Sequence, residues 1–126
     1  MGMATLISYP RRIPQKSYKA RPRALRLPMS VCYAMRGRMR QLGGLQMRLY
    51  IGLLLQSECR HGTVNARGIP PSPDLNRVDA DAIQVSWRLT PAEYDDIRAC
   101  AERARCSPSE WVRRAIYWDT RDRILG

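Results

Sequence analysis

Gln84, Ser86 and Arg88 are the side chains whose spacing first suggests chemistry, because apolar residues separate them. The run Ile83-Gln84-Val85-Ser86-Trp87-Arg88-Leu89 has the period of two that marks a β-strand, with Ile83, Val85, Trp87 and Leu89 on one face. The opposite face carries an amide, a hydroxyl and a guanidinium, a row of hydrogen-bonding groups. Most such faces are simply hydrated, so the elements around this one must decide its meaning. Trp87 has a ring that can stack on a ligand, but its parity with Val85 and Leu89 predicts a core position.

The other reactive side chains lack the company that catalysis needs. His61 is the sole histidine, with no acid or nucleophile patterned around it. Asp95 and Asp96 are adjacent on a helix and so do not face one another as a catalytic pair would. Gly43-Gly44 has neither phosphate-loop spacing nor a following lysine. Cys59-Arg60-His61 offers two metal ligands and lacks two more, and Cys100 and Cys106 have neither Cys-x-x-Cys spacing nor a nearby histidine. The four cysteines read as reduced thiols, with Cys100 and Cys106 as small buried apolar residues. The expectation is a protein that is not an enzyme and that binds no metal and no cofactor.

Two helices follow the strand. Thr90-Pro91-Ala92-Glu93 is a capping box with proline at the first helical position. Tyr94, Ile97, Ala101 and Ala104 then recur at helical spacing, which predicts a helix from Pro91 to about Arg105. Ser107-Pro108-Ser109-Glu110 repeats the start signal, and Trp111, Val112, Ala115, Ile116 and Trp118 supply the next apolar stripe.

The charge divides the chain. Its 126 residues hold 22 Lys+Arg against 11 Asp+Glu, a net +11, which points to nucleic acid first and an anionic membrane surface second. Residues 1–77 contain fourteen of the basic residues and only two acids, Glu58 and Asp74, whereas residues 78–126 are nearly balanced. Pro10, Pro14, Pro22 and Pro28 break up the start of the chain, and like charge with few large apolar side chains predicts a largely disordered basic segment over 1–77. Gly62 to Asp74 reads as a stiff, extended linker, and Leu49–Leu55 as a short helix too brief to span a bilayer, which takes ~20 residues. Translation from Met29, Met35, Met39 or Met47 would leave the upstream part unmade, a reading that stands beside a real basic arm. The Arg-rich, acid-free start also resembles an organelle transit peptide in composition, whereas a secretion signal from Met35 or Met39 would find no A-x-A site at Gln56-Ser57-Glu58-Cys59; the expected location is cytoplasmic.

Residues 78–126, with one strand face and two narrow helical stripes, are marginal as a monomer. A lone strand also leaves its backbone groups unpaired. Both problems disappear if two copies pair their strands antiparallel about a two-fold axis. The predicted class is therefore α+β: one strand and two helices per chain, in a homodimer with a two-stranded ribbon.

At this point the sequence resembles the ribbon-helix-helix superfamily of DNA-binding proteins, the Arc/MetJ/CopG group. The carrying residues are Val85 to Tyr94, then Ala101, then Ser107-Pro108-Ser109-Glu110-Trp111-Val112-Arg113-Arg114-Ala115. The strand-to-helix junction and the Ser-x-Ser-Glu-x-x-Arg stretch look like those of MobC-type plasmid mobilisation accessory proteins, and also fit small repressors and antitoxins. One departure is Arg105-Cys106, where family members usually carry Gly followed by an aliphatic residue.

The resemblance implies a ribbon that enters the major groove of double-stranded DNA. Arg88 would then contact guanine, Gln84 adenine, and Ser86 either base. Phosphate would be held by the start of the second helix, through Ser107, the backbone amides of Ser109 and Glu110, and Arg113. The implied function is transcriptional regulation by a homodimer that can form higher oligomers on DNA, with a toxin as one candidate partner. The alternative is a relaxosome accessory that binds a plasmid transfer origin and assists a relaxase. A third reading, from another class, is a membrane-surface or protein-interaction role for Leu49–Leu55 and its basic flank.

Overall fold

The strand read at 83–89 forms with those limits: β2 spans Ile83–Leu89, with Val85, Trp87 and Leu89 buried and Gln84, Ser86 and Arg88 exposed. The structure, a computed structural model, describes residues 20–71 and 82–126. The partner of β2 comes from the same chain. Arg21–Leu27 forms β1, and the two strands run antiparallel with Ala24 opposite Ser86 at the centre of the ribbon. The pairing that the sequence assigns to a second copy is thus made internally, which satisfies the backbone groups that a lone strand would strand in the open.

After β1 come α1 (Met29–Gln41), α2 (Met47–His61) and the short α3 (Thr63–Arg67); after β2 come α4 (Pro91–Arg103) and α5 (Pro108–Asp122). This is an α+β arrangement in which residues 21–67 differ from the disordered segment expected over 1–77. The linker read from Gly62 contains α3, and the short helix read around Leu49–Leu55 is the fifteen-residue α2. Residues 1–19 and 72–81, including the expected boundary at 77/78, lie outside the described residues. Because β1 precedes Met29, Met35, Met39 and Met47, a chain starting at any of them lacks the partner strand of β2.

Both halves follow one plan. From Met29 to Pro91 and from Gln41 to Arg103 the shift is 62 residues, so α1 and α4 match in length. The facing strand centres, Ala24 and Ser86, differ by the same 62. α2 and α5 each have 15 residues and are shifted by 61, from Met47 to Pro108 and from His61 to Asp122. Their buried positions coincide: Tyr50, Ile51, Leu54, Leu55, Ser57 and Glu58 correspond in order to Trp111, Val112, Ala115, Ile116, Trp118 and Asp119.

The turns repeat as well. The amides of Gly43 and Gly44 donate to the carbonyls of Arg40 and Met39; those of Arg105 and Cys106 donate to Glu102 and Ala101. Leu45 is the extra residue that changes the shift from 62 to 61. Each second helix stops at a left-handed residue, Gly62 at φ 59° and Arg123 at φ 52°. Each also carries a buried acid that accepts the amide six residues on: Glu58 from Val64 at 2.7 Å, and Asp119 from Leu125 at 2.9 Å. One strand-helix-helix unit is therefore present twice among the described residues.

The two units interlock around one core. Leu25 and Leu27 of β1 and Val85, Trp87 and Leu89 of β2 turn their side chains onto Met35, Tyr50, Leu54, Ile97, Trp111 and Ile116, all buried in a single cluster. Each large apolar side chain so buried contributes roughly 1.5–3 kcal/mol relative to exposure. α5 packs on α1 as well as on its own neighbour α4. Arg48 of α2 reaches Glu93 of α4 at 3.1 Å, and Arg67 of α3 reaches Asp122 of α5 at 2.6 Å. Trp118 Nε1 donates to the carbonyl of Gly68 at 3.2 Å. The apolar run of α2 belongs to this core through Ile51, Leu54 and Leu55, which leaves Leu49 and Leu53 exposed. No helix among the described residues is long and apolar enough to cross a membrane.

Candidate nucleic-acid interface

The register sets the composition of the ribbon's outer face. Pro22, Ala24 and Arg26 project from β1 on the same side as Gln84, Ser86 and Arg88 from β2, and all six are exposed. The facing pairs are Pro22 with Arg88, Ala24 with Ser86, and Arg26 with Gln84. The three side chains singled out in the sequence therefore stand together on one surface, with three more beside them. Trp87 lies on the inner face and is buried, as its parity predicts.

The ribbon carries positive charge without compensation from its own strands. Arg21, Arg23, Arg26 and Arg88 are its ionisable residues, and neither strand contains an acid. Arg88 Nη2 donates to the carbonyl of Ala20 at 3.1 Å, which lays the side chain across the end of β1. The Arg23 guanidinium lies 3.9 Å from the centre of the Tyr94 ring, a cation–π contact that ties β1 to α4.

The start of α5 differs from the expectation in two details. Ser107 caps the helix, its Oγ accepting the Glu110 amide at 3.1 Å. That amide, expected to be open to phosphate, is already used, because an N-cap hydroxyl satisfies the third amide of its helix. The Glu110 carboxylate contacts Arg114 at 3.2 Å and Arg113 at 3.5 Å. Arg113 also donates through Nε to the carbonyl of Arg26 at 3.0 Å. It thereby fixes α5 to the edge of β1, and its side chain is 17% exposed.

Among the clefts beside the ribbon, two occupy equivalent places in the two units. One, of about 280 Å³, lies where β1 meets α4 and α5, lined by Arg23, Leu25, Tyr94, Ile97, Pro108 and Ser109 among others. The other, of about 430 Å³, lies where β2 meets α1 and α2, lined by Met35, Arg36, Met39, Met47, Gln84, Val85 and Ser86. Met35 and Ile97 are equivalent residues of the two units, as are Met47 and Pro108. Each cleft thus joins the outer strand of one unit to the start of the other unit's second helix.

Thr90 places β2 at the head of α4. Its Oγ1 accepts the Glu93 amide at 3.2 Å and its own amide donates to the Glu93 carboxylate at 2.8 Å, the reciprocal box read from the sequence. Burial alone would raise the Glu93 carboxyl; the hydrogen bonds from Thr90 and Arg48 outweigh it and hold the group below its ordinary value. Burial pushes the Cys100 thiol up to about 11 and raises Cys106 as well, so neither is activated as a nucleophile. No group of three or more metal-capable side chains occurs among the described residues.

Residues 81–117 match a known family model. Its description is NikA-like, mobilization protein NikA. The matched stretch takes in β2, α4 and most of α5, and hence the second unit. It supports the mobilisation side of the resemblance. Searches of curated proteins and of solved structures find no match.

Sequence reasoning missed the outer face of β1. Ala24-Leu25-Arg26-Leu27 does alternate, and Arg26-Leu27 and Arg88-Leu89 stand 62 residues apart before a helix. That repeat was the available signal.

Proposed function

We propose that the chain binds double-stranded DNA sequence-specifically through the outer face of its ribbon, as an accessory that marks a plasmid transfer origin for a relaxase supplied by another protein. The two strand-helix-helix units are taken as the halves of a ribbon-helix-helix module held in one chain. The observation that carries the reading is the antiparallel face that sets Arg26 beside Gln84, Ala24 beside Ser86 and Pro22 beside Arg88, with no acid in either strand. A two-stranded ribbon fits the major groove, where arginine reads guanine and glutamine reads adenine through paired hydrogen bonds. The NikA-like match favours transfer-origin DNA over a promoter as the target.

Transcriptional regulation uses the same face, so the two readings separate by target. Fluorescence anisotropy should compare a duplex from the transfer origin of the same replicon, one from the region upstream of the gene, and an unrelated duplex. Tighter binding to the transfer-origin duplex is the expected result. Tighter binding to the upstream duplex would favour the regulator, and equal binding to all three would overturn sequence-specific recognition.

A further inference from the structure

We propose that one chain occupies one DNA site alone and reads it asymmetrically, with Arg26 as the base-reading counterpart of Arg88. The inference rests on the DNA-binding reading above and specifies the class of site: duplex without two-fold symmetry.

In a ribbon made by two copies, every outer residue occurs twice and the preferred DNA has matching halves. Here both strands belong to one chain and their outer faces differ. The 62-residue relation sends Arg26 to Arg88, Ala24 to Ser86 and Pro22 to Gln84. Arginine thus stands at the equivalent position of both strands, one at each end of the face, while the other two positions differ. At one end Arg26 stands opposite Gln84, so two side chains capable of paired hydrogen bonds lie together. At the other end Arg88 stands opposite Pro22, which has no side-chain donor or acceptor. In the middle, the Ser86 hydroxyl faces the Ala24 methyl, which suits the methyl group of a thymine.

This order makes a definite site. The two arginines are four register steps apart, ~14 Å at the rise of a strand, which covers roughly four base pairs. Guanine is read at both ends, and adenine is read beside only one of them. The face also supplies the reason that a single chain suffices: β1 already fills the pairing edge on which a second β2 would dock.

The test uses the full chain. Selection of bound duplexes from random DNA is followed by measurement of the mass of the complex and by binding assays of Arg26→Ala, Arg26→Lys and Arg88→Ala. The expected motif is non-palindromic, with one chain per duplex. Arg26→Ala should relax discrimination at the adenine-bearing end by about 5- to 150-fold, and Arg88→Ala at the opposite end by a similar factor. Arg26→Lys keeps the charge but not the fork, so it should keep most affinity and lose the guanine preference. A palindromic motif bound by two chains overturns the inference while leaving DNA binding intact. Unchanged selectivity in Arg26→Ala does the same. Failure to bind any duplex overturns the functional reading and the inference with it.

Discussion

Arg38 on α1 and Asp119 on α5 form a buried ion pair, Nε to Oδ2 at 3.1 Å and Nη2 to Oδ1 at 3.3 Å. The pair joins the first unit to the second. Tyr50 of α2 donates to the same carboxylate at 2.7 Å, the Leu125 amide does so at 2.9 Å, and Arg38 also reaches the Leu125 carbonyl. Both carboxylate oxygens are therefore doubly engaged, which is the condition for keeping a charge out of water. The equivalent acid of the first unit, Glu58, accepts the amides of Val64 and Asn65, and the position equivalent to Arg38 in the second unit is Cys100. The two halves share a capping device and differ in the charge set against it.

Replacing Arg38 with methionine keeps an apolar stem on α1 and strips the counter-charge from Asp119. Breaking one side of a buried pair costs about 3–5 kcal/mol, because the remaining charge stays buried. Thermal denaturation should show a clear fall in melting temperature. An unchanged transition would mean that the units are held together without this link. Arg38→Met with Asp119→Asn should recover part of the loss, since the stranded charge is then gone.

Tyr50 predicts how the same cluster responds to alkali. Burial first, and then the hydrogen bond to Asp119, raises its hydroxyl well above the ordinary 10.0. The folded state keeps this proton, whereas the unfolded chain releases it near pH 10. The resulting stability is fully present below pH 10 and is lost as the pH rises past it. Urea denaturation between pH 8 and roughly pH 11 should therefore show falling stability, and Tyr50→Phe should flatten that fall. The same variant should lose about 1.5–3 kcal/mol at neutral pH, because the lost hydrogen bond is to a charged carboxylate. Equal alkaline slopes in the two proteins would assign the effect to other groups.

The sequence made the second unit legible because its signals are local. Alternation fixed Ile83–Leu89, and the capping residues Thr90 and Ser107 fixed the starts of α4 and α5. The helix expected to reach about Arg105 ends at Arg103, where the turn begins. The first unit was obscured for identifiable reasons. Only Leu25 and Leu27 on the inner face of β1 are large and apolar; Arg21 and Arg23 occupy the remaining inward positions, and Pro22 interrupts the run. α1 has no side-chain cap, and neither α1 nor α2 has an acid in its first turn. The value of β1 lies in pairing with a strand about sixty residues away, and no window along the chain contains both. For the exposed outer face of the ribbon, the positions of Gln84, Ser86 and Arg88 were legible and that of Arg26 was not, for the same reason.

Arg105 shows where a local rule is broken. It adopts φ 58° in the α4–α5 turn, while its equivalent, Gly43, sits at φ 102°. A side chain in the left-handed region costs roughly 1–2 kcal/mol, which glycine avoids at some cost in unfolded-state entropy. Arg105→Gly should therefore stabilise the protein by up to ~1 kcal/mol. A rise in the denaturant midpoint checks this, with DNA selectivity unchanged because Arg105 lies off the ribbon. A lower midpoint would show that the arginine side chain contributes more than its backbone costs.

The asymmetry of the ribbon can be removed by two substitutions. Pro22→Gln with Ala24→Ser gives β1 the outer sequence Gln, Ser, Arg, the same as Gln84, Ser86 and Arg88 in β2. Both changed positions are exposed, so the core beneath them is untouched. Removing proline also restores an amide to the strand, where proline otherwise weakens the ladder. The double variant should fold at least as well as the parent and select a palindromic site. At the Arg88 end, preference for adenine should appear with a discrimination of ~1–3 kcal/mol, the usual value of a paired contact. Random-site selection on parent and variant in parallel measures this. Because the two proteins share all inner residues, any change in motif comes from positions 22 and 24. If the variant's motif keeps the parent's asymmetry, the outer face of β1 does not read bases.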